Sequence, residues 1–226
     1  MKLAGHRPRV IAVSGVDGSG KSSLVRGLMS ELEAAGERAE VLWFRPGMGM
    51  GWLDAPARTV KRLLRQPESP AITRAGTGDA PRTRQGVLGY AWCLVVTAVY
   101  VRHVTGALRR AKGVVVCDRY VLDALVTLRV FYAGVDVALA ERIVRARLPE
   151  PEVTFYLDVP AEVAVARKPL DMIGEPAVRA QLEAYAAELP AHPQIVVLDG
   201  TAEPEELVSA AWSTVRQALA GDAAQS

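Results

Sequence analysis

Cysteine is scarce in this sequence, and so is net charge. Cys93 and Cys117 are the only cysteines among 226 residues, and Cys117 lies inside an apolar run. Two cysteines exclude a disulfide framework and fit a reducing, cytoplasmic compartment. Acidic and basic residues nearly balance, and the formal net charge of +2 creates no strong field that would attract nucleic acid or a membrane surface. We therefore expect neither as a partner.

Long apolar runs are also missing. The most apolar stretch, residues 87–101, is shorter than the roughly 20 residues that a membrane-spanning helix needs, and it contains Gly89 and Thr97. We expect it to form a buried core helix. The N-terminus shows no signal-peptide stretch or cleavage site. Half of the residues are hydrophobic, enough to bury a full core, so we expect one globular domain over residues 1–226.

A glycine-rich loop is the most informative feature that is present. Residues 15–22 read GVDGSGKS and match the phosphate-loop pattern G-x-x-x-x-G-K-[ST]. An apolar stretch, Arg9–Ser14, predicts a buried strand before the loop, and apolar residues at helical spacing predict a helix over residues 22–35 after it. A phosphate-binding loop requires this order of strand, glycine loop and helix.

The residues of this loop suit the binding of phosphate groups. Its glycines allow successive main-chain N–H groups to point inward, and the following helix adds the partial positive charge of its N-terminus. Lys21 can reach the β- and γ-phosphates, and Ser22 can place its hydroxyl on Mg²⁺. We therefore predict that ATP and Mg²⁺ are held by Gly15, Asp17, Gly18, Ser19, Gly20, Lys21, Ser22 and Ser23.

Another apolar strand pattern ends in a carboxylate. Residues 114–117 read VVVC and are followed by Asp118 and Arg119, the arrangement of a Walker B strand with its magnesium-organising acid. A hydrolytic ATPase would usually carry Glu after this Asp to activate water. Arg119 stands there instead, and a cation in that place favours transfer to an acceptor over hydrolysis. The chain also has no Asn-Lys-x-Asp guanine reader, which disfavours a GTPase switch.

An arginine follows the second predicted strand. Residues 39–44 form that strand pattern, and Arg45 comes next, before a Pro-Gly pair that ends the strand. Ligands of open parallel sheets bind at the carboxyl ends of the strands. Arg45 is therefore a candidate phosphate clamp, with a surface ion pair as the alternative. Residues 48–85 are irregular and form either a lid or a disordered insertion.

Strands and helices alternate through the rest of the chain. Strand patterns recur at 153–157 and 195–198, a polar break covers 169–176, and helix patterns fall at 87–112, 121–133, 137–147, 161–168, 178–189 and 204–218. This alternation predicts right-handed βαβ units and an α/β fold built on a parallel sheet.

Five motifs share one kind of position, because each follows a predicted strand. They are the phosphate loop, Arg45-Pro46-Gly47, Asp118-Arg119-Tyr120, Asp158-Val159-Pro160 after Leu157, and Asp199-Gly200-Thr201. Together they make the chain resemble the thymidylate kinase family of nucleoside monophosphate kinases over nearly its full length, and Asp-Arg-Tyr is the most family-specific of them. The resemblance implies a three-layer P-loop kinase fold with five parallel strands in the order 2-3-1-4-5. It also implies ATP as donor, Mg²⁺, a nucleotide 5′-phosphate as acceptor, and a homodimer.

The resemblance also implies roles for individual residues. Arg45 would grip the acceptor phosphate, Asp118 would organise Mg²⁺ through water together with Ser22, and the main chain of Gly200 and Thr201 would lie against adenine. The acceptor side as a whole would consist of Asp17, Arg45, Asp118, Arg119 and Tyr120. The positive charge of Arg45 and Arg119 is needed there because two polyanionic substrates, the donor and the acceptor, must meet.

Catalysis in this family also needs a cation between the donor and acceptor phosphates. The variable loop positions 16–19 contain no Arg, so the resemblance moves this role to the lid, about residues 167–176. Arg167 and Lys168 are the candidates there. We favour Arg167, which with Lys21 and Asp17 completes the predicted catalytic set. The alternative is that Arg167 only favours a helix C-terminus.

The acceptor side departs from the family pattern. The Glu that usually follows the strand-end Arg is missing, residues 169–176 carry no basic residue, and residues 94–101 are mostly apolar where a base-holding pair is expected. The leading hypothesis is a kinase of dTMP or a related or modified pyrimidine nucleotide. A phosphotransferase for a non-nucleotide small molecule or sugar stays open, as does an ATP-binding regulatory protein with weak catalysis.

Overall fold

A five-stranded parallel sheet runs through residues 8–44, 86–167 and 174–223, which are the residues that the computed structural model describes. The strands are β1 (Arg9–Ser14), β2 (Ala39–Trp43), β3 (Val114–Asp118), β4 (Val153–Asp158) and β5 (Val196–Asp199). They pair in the order β2-β3-β1-β4-β5. This confirms the predicted α/β fold and its strand order 2-3-1-4-5.

Helices cover both faces of the sheet. On one face lie α1 (Lys21–Ala34) and α7 (Pro204–Ala223). The other face carries α2 (Val87–Arg110), α3 (Val121–Phe131), α4 (Ala138–Arg147), α5 (Ala161–Arg167) and α6 (Glu175–Glu188). A short 3₁₀ turn, Leu189–Ala191, follows α6. The three-layer arrangement predicted from the sequence is therefore present.

The central strand β1 is buried on both faces. Ile11 and Val13 pack into the core under α1 and α7, whereas Val10 and Ala12 face the core under α2, α3 and α4. A strand that is covered on both faces has an almost continuous apolar sequence, and Arg9–Ser14 has such a sequence. The central position of β1 fixes the loop that follows it in the middle of the sheet edge.

The register places the carboxyl ends of β1, β2 and β3 next to one another at one edge of the sheet. Asp118, the last residue of β3, lies opposite Val13 of β1 and opposite Trp43 of β2. The loop after β1 and the turn after β3 therefore leave the same edge of the sheet side by side. Arg45, which follows β2 in the sequence, lies outside the described residues, as do residues 48–85 and Lys168.

Two helix limits differ from the predicted ones by three residues or more, and the other limits differ by at most two. Helix α6 begins at Glu175, so the predicted start at residue 178 and the last part of the predicted polar break are wrong. The reason is that Pro176 lies in the first helical turn, where its missing N–H leaves no hydrogen bond unmade. Helix α7 continues to Ala223, beyond the predicted end at residue 218.

Helix α2 has one buried face and one exposed apolar face. Cys93 and Tyr100 are buried, whereas Val87, Leu88 and Val95 are 82%, 65% and 42% exposed. By length and composition, α2 is the one helix among the described residues that could cross a membrane, and 39% of its most apolar window is buried inside the domain. A core helix of a soluble protein meets the same criteria, so the absence of a membrane partner stays a prediction.

Candidate active site

The loop between β1 and α1 has glycine where a side chain would not fit. Gly18 has a φ of +87°, and a Cβ at this position would lie 2.2 Å from the carbonyl oxygen of Ala164 in α5. Gly20 stands at the start of α1 and offers no side-chain cap, and the first turn of α1 contains no acidic residue. The positive end of the α1 dipole is therefore not compensated locally, which suits the binding of an anion.

Lys21 is folded back into this loop. Its side chain is buried, and its Nζ donates to the carbonyl oxygen of Val16 at 2.5 Å and to Ser19 Oγ at 3.5 Å. Burial, followed by the nearby Arg119, lowers the pKa of Lys21 to about 8. A phosphate in the loop would favour the charged form and raise this pKa again.

Asp118 has a buried oxygen without a partner. Its Oδ1 is buried and accepts no hydrogen bond from any of the described residues. Burial raises the pKa of Asp118, and Lys21 and Arg119 oppose that rise. A buried carboxylate oxygen that accepts no hydrogen bond needs another donor or a cation nearby, and a hydrated Mg²⁺ meets that need.

The remaining ligands suit Mg²⁺ as well. Ser22 lies exposed in the first turn of α1, where a hydroxyl can reach an ion beside the loop. Within the described ranges, no three His, Cys, Asp or Glu side chains are grouped into a cage. Mg²⁺ is usually held by one or two protein groups, water and substrate phosphates rather than by such a cage. The residues present therefore fit the ion, with Ser22 and Asp118 as its protein groups.

Arg119 occupies a turn that non-glycine residues rarely adopt. Its φ is +71°, in the left-handed region. Its guanidinium pairs with the carboxylate of Asp17, lies 3.2 Å from Asp123 Oδ1, and donates to the Gly15 carbonyl oxygen at 3.4 Å. Arg119 thereby joins the turn after β3 to the phosphate loop.

Asp123 and Tyr185 are site residues that sequence reasoning missed. Asp123 is buried, and its Oδ1 accepts a hydrogen bond of 2.6 Å from the Tyr185 hydroxyl, while its Oδ2 caps α3 through the Tyr120 main-chain N–H at 3.3 Å. Asp123 had a signal in the sequence, because it follows Arg119 by four residues on a predicted helix. Tyr185 had none, since it comes from α6, which follows α3 in the chain only after α4, β4 and α5.

Tyr120 lies behind the turn that carries Arg119. Its ring is 1% exposed, and its hydroxyl donates to the carbonyl oxygen of Pro149 at 3.0 Å. Phe44, at the end of β2, packs between Tyr120 and the edge of His103, with ring centroids 6.5 Å and 6.0 Å apart. The structure thus places the Tyr120 side chain in the core, and His103 beside the end of β2.

The turn after β5 lies against the phosphate loop. A Cβ on Gly200 would lie 2.9 Å from the Ser19 carbonyl oxygen. Arg167 reaches the same turn, because its Nη1 donates to the Gly200 carbonyl oxygen at 2.6 Å. Thr201 donates from its main chain and hydroxyl to Asp199, and these bonds lower the pKa of Asp199. Arg167, Gly200 and Thr201 therefore lie together beside the phosphate loop.

This fold and this site define a P-loop kinase. No protein-family model matches the chain. Curated proteins do: a thymidylate kinase of Cereibacter sphaeroides is 29% identical over 234 residues, which cover 93% of this chain and 95% of that protein. A thymidylate kinase of Thermomicrobium roseum is 27% identical over 92% of this chain and 95% of its own length. A putative thymidylate kinase of Aeropyrum pernix is 31% identical over 70% of this chain and 65% of its own length.

The chain is thus similar to thymidylate kinases over nearly its full length.

Proposed function

We propose that this protein transfers the γ-phosphoryl group of ATP to the phosphate of a nucleoside monophosphate, and that dTMP is the acceptor. The observation that carries this proposal is the position of Arg119, whose guanidinium is fixed on the phosphate loop by Asp17. A cation held between the donor loop and the acceptor edge suits an acceptor that itself bears a phosphate. The names of the relatives support the choice of dTMP.

The chain supplies positioning and charge rather than a base. A phosphate oxygen of the acceptor is already ionised, so it can attack the γ-phosphorus without giving up a proton. The bond from that phosphorus to the β,γ-bridging oxygen breaks, and ADP leaves. Lys21 neutralises charge on the donor phosphates, and Arg119 and Arg45 do so on the acceptor. Ser22 and Asp118 would hold Mg²⁺, which would neutralise charge on the phosphates of ATP.

Arg167 is the cation that we place between the two substrates. Its helix borders the phosphate loop at Gly18, and its guanidinium contacts the Gly200 carbonyl oxygen, so it lies beside the donor. Arg167→Ala is expected to lower kcat by on the order of 10³-fold or more. Lys168→Ala tests the other candidate and should change kcat less than threefold. A rise in the KM for ATP alone would instead make Arg167 an adenine contact.

An assay of the purified protein tests the proposed activity directly. ADP formation is followed in a coupled assay with ATP, Mg²⁺ and each nucleoside monophosphate, and dTMP is expected to give the highest kcat/KM. No ADP above background with any of them would refute the proposed reaction. Arg45→Ala then separates acceptor classes, because only a phosphate-bearing acceptor should lose binding. Full turnover of this variant on a non-phosphorylated acceptor would favour the small-molecule phosphotransferase.

We also propose a cytoplasmic homodimer that associates through α2. The exposed side chains of Leu88, Ala91, Val95 and Ala98 follow one another at spacings of three and four residues, so they form an apolar stripe on one face of the helix. Two such stripes can pack against each other. Light scattering should give the mass of a dimer for the soluble protein, and Val95→Lys should give a monomer.

A further inference from the structure

The hydroxyl of Tyr185 reaches the arginine of the acceptor site through one buried carboxylate. We propose that Tyr185 is a positioning residue, which acts through Asp123 to hold the guanidinium of Arg119 where the acceptor phosphate will bind. The inference deepens the proposed function and rests on it. It assigns a role in acceptor binding to α6, a helix that none of the sequence motifs touches.

The geometry centres on a single oxygen atom. Asp123 Oδ1 accepts a hydrogen bond of 2.6 Å from Tyr185 and lies 3.2 Å from Nη1 of Arg119. The Tyr185 hydroxyl also lies 3.3 Å from the carbonyl oxygen of Gly15, the acceptor that Arg119 Nη1 shares at 3.4 Å. The phenol has one proton, and the shorter distance gives it to Asp123. Tyr185 and Arg119 therefore contact the same two acceptors from two sides.

The contact between Asp123 and Arg119 matters because the main chain of Arg119 is held in an unfavourable conformation. A non-glycine residue with a φ of +71° persists only where its surroundings fix it. The groups that fix its side chain are the carboxylates of Asp17 and Asp123. Asp17 belongs to the loop that must also receive ATP, so Asp123 is the anchor that stays in place while substrates exchange. A buried carboxylate keeps its orientation only while its lone pairs are satisfied.

Packing of the ring alone does not explain why residue 185 carries a hydroxyl group. The Tyr185 ring is 1% exposed and packs against Tyr156, with ring centroids 4.9 Å apart. A phenylalanine would fill the same space. Burial raises the pKa of Tyr185 well above its usual range, so the hydroxyl keeps its proton and remains a donor. The hydroxyl therefore contributes a hydrogen bond to a charged group, and this bond is separable from the packing of the ring.

Tyr185→Phe tests the inference in steady-state kinetics. Loss of a hydrogen bond to a charged group is expected to raise the KM for the acceptor by about tenfold or more. The KM for ATP should change less than twofold, because the donor contacts are intact. Tyr132→Phe is the control, since it removes a buried phenol at the C-terminal end of α3, whereas Arg119 precedes the N-terminal end of that helix. A Tyr185→Phe enzyme with unchanged acceptor KM would overturn the inference.

A double variant shows whether Tyr185 acts through Arg119. In an Arg119→Lys background, the effect of Tyr185→Phe on the acceptor KM should fall below twofold, because the shorter amine cannot keep both carboxylate contacts. An effect of the same size in both backgrounds would mean that Tyr185 only stabilises the fold. Equal losses in the KM for ATP and the acceptor would mean the same.

One measurement does not depend on turnover. The guanidinium protons of Arg119 can be followed by nuclear magnetic resonance in the free protein, and Tyr185→Phe should speed their exchange with water several-fold over wild type and Tyr132→Phe. Unchanged exchange would overturn the inference. If the wild type phosphorylates no nucleoside monophosphate, the proposed function fails, and this measurement still decides whether Tyr185 positions Arg119.

Discussion

The guanidinium of Arg119 pairs with the carboxylate of Asp17, which precedes it by 102 positions in the chain. The contact joins the turn after β3 to the variable part of the phosphate loop. One ion pair thereby links the residues proposed to hold the acceptor to those proposed to hold ATP. An arriving acceptor phosphate offers Arg119 the same kind of charge-assisted contact that Asp17 now makes. Donor and acceptor binding are therefore expected to affect each other through this pair.

Lys21 is predicted to support catalysis at the expense of stability. Lys21→Met should lower turnover by on the order of 10³-fold, because it removes the cation at the β- and γ-phosphates. Without nucleotide, it should raise the free energy of unfolding at pH 7 by roughly 1–3 kcal/mol, since a pKa near 8 reflects the unfavourable burial of the charge. Lys112→Met, at an exposed position, is the control for both measurements. A variant with normal turnover would contradict the phosphate site.

The pH dependence of stability follows from the same lysine. Because the folded pKa is lowered from 10.5 to about 8, the unfolded chain binds the proton that the folded protein releases between these values. The free energy of unfolding from this group should therefore rise with pH through that window. Denaturant unfolding of wild type and Lys21→Met at pH 7, 8 and 9 measures it. The difference between the two proteins should shrink as the pH rises.

ATP binding is predicted to take up protons above pH 8. The phosphates should restore the charge on Lys21, whose pKa in the free protein is about 8. Calorimetric titration at pH 8.5 in two buffers of different ionisation enthalpy measures the uptake, which should be a fraction of one proton per site. Lys21→Met should abolish it. Equal apparent enthalpies in both buffers for the wild type would contradict the prediction.

Asp118→Asn should remove the dependence of ATP binding on Mg²⁺. The buried Oδ1 without a partner is the group that we expect to face the ion, and an amide is a poorer ligand for Mg²⁺. Because burial raises the pKa of Asp118, the ionised form destabilises the folded protein once the pH exceeds that pKa. The variant should therefore be more stable than wild type at pH 7 without Mg²⁺. Thermal unfolding with ATP, with and without Mg²⁺, measures both effects, and Glu33→Gln is the surface control.

Gly18→Ala should disrupt the phosphate loop. Its Cβ would lie 2.2 Å from a main-chain oxygen of α5 at a φ of +87°, so the loop or the helix must move. We expect ATP affinity to fall about tenfold or more, which corresponds to the 1–3 kcal/mol of a strained residue. Gly36→Ala is the matched control, with a φ of +75° and open space around the position. It should cost about 1 kcal/mol of stability and leave ATP affinity unchanged.

Local patterns made much of the site predictable. The strand, glycine loop and helix around Lys21 follow from neighbouring residues, and so does the carboxylate of Asp118 at the end of a buried strand. The order of the strands also followed, through the family resemblance. Helix limits were less certain, because Pro176 can either break a helix or begin one, and only its neighbours in space decide between them.

The sequence by itself determined the glycine loop with the strand before it and the helix after it, because these elements depend on patterns within one short stretch of chain. Tertiary structure alone decided which distant side chains meet: Asp17 with Arg119, Tyr185 with Asp123, and Arg167 with the turn at Gly200. It also decided the burial of Lys21, and with it a pKa near 8. The physical reason is that pairing and desolvation depend on distances in space, which the spacing of residues along the chain does not give.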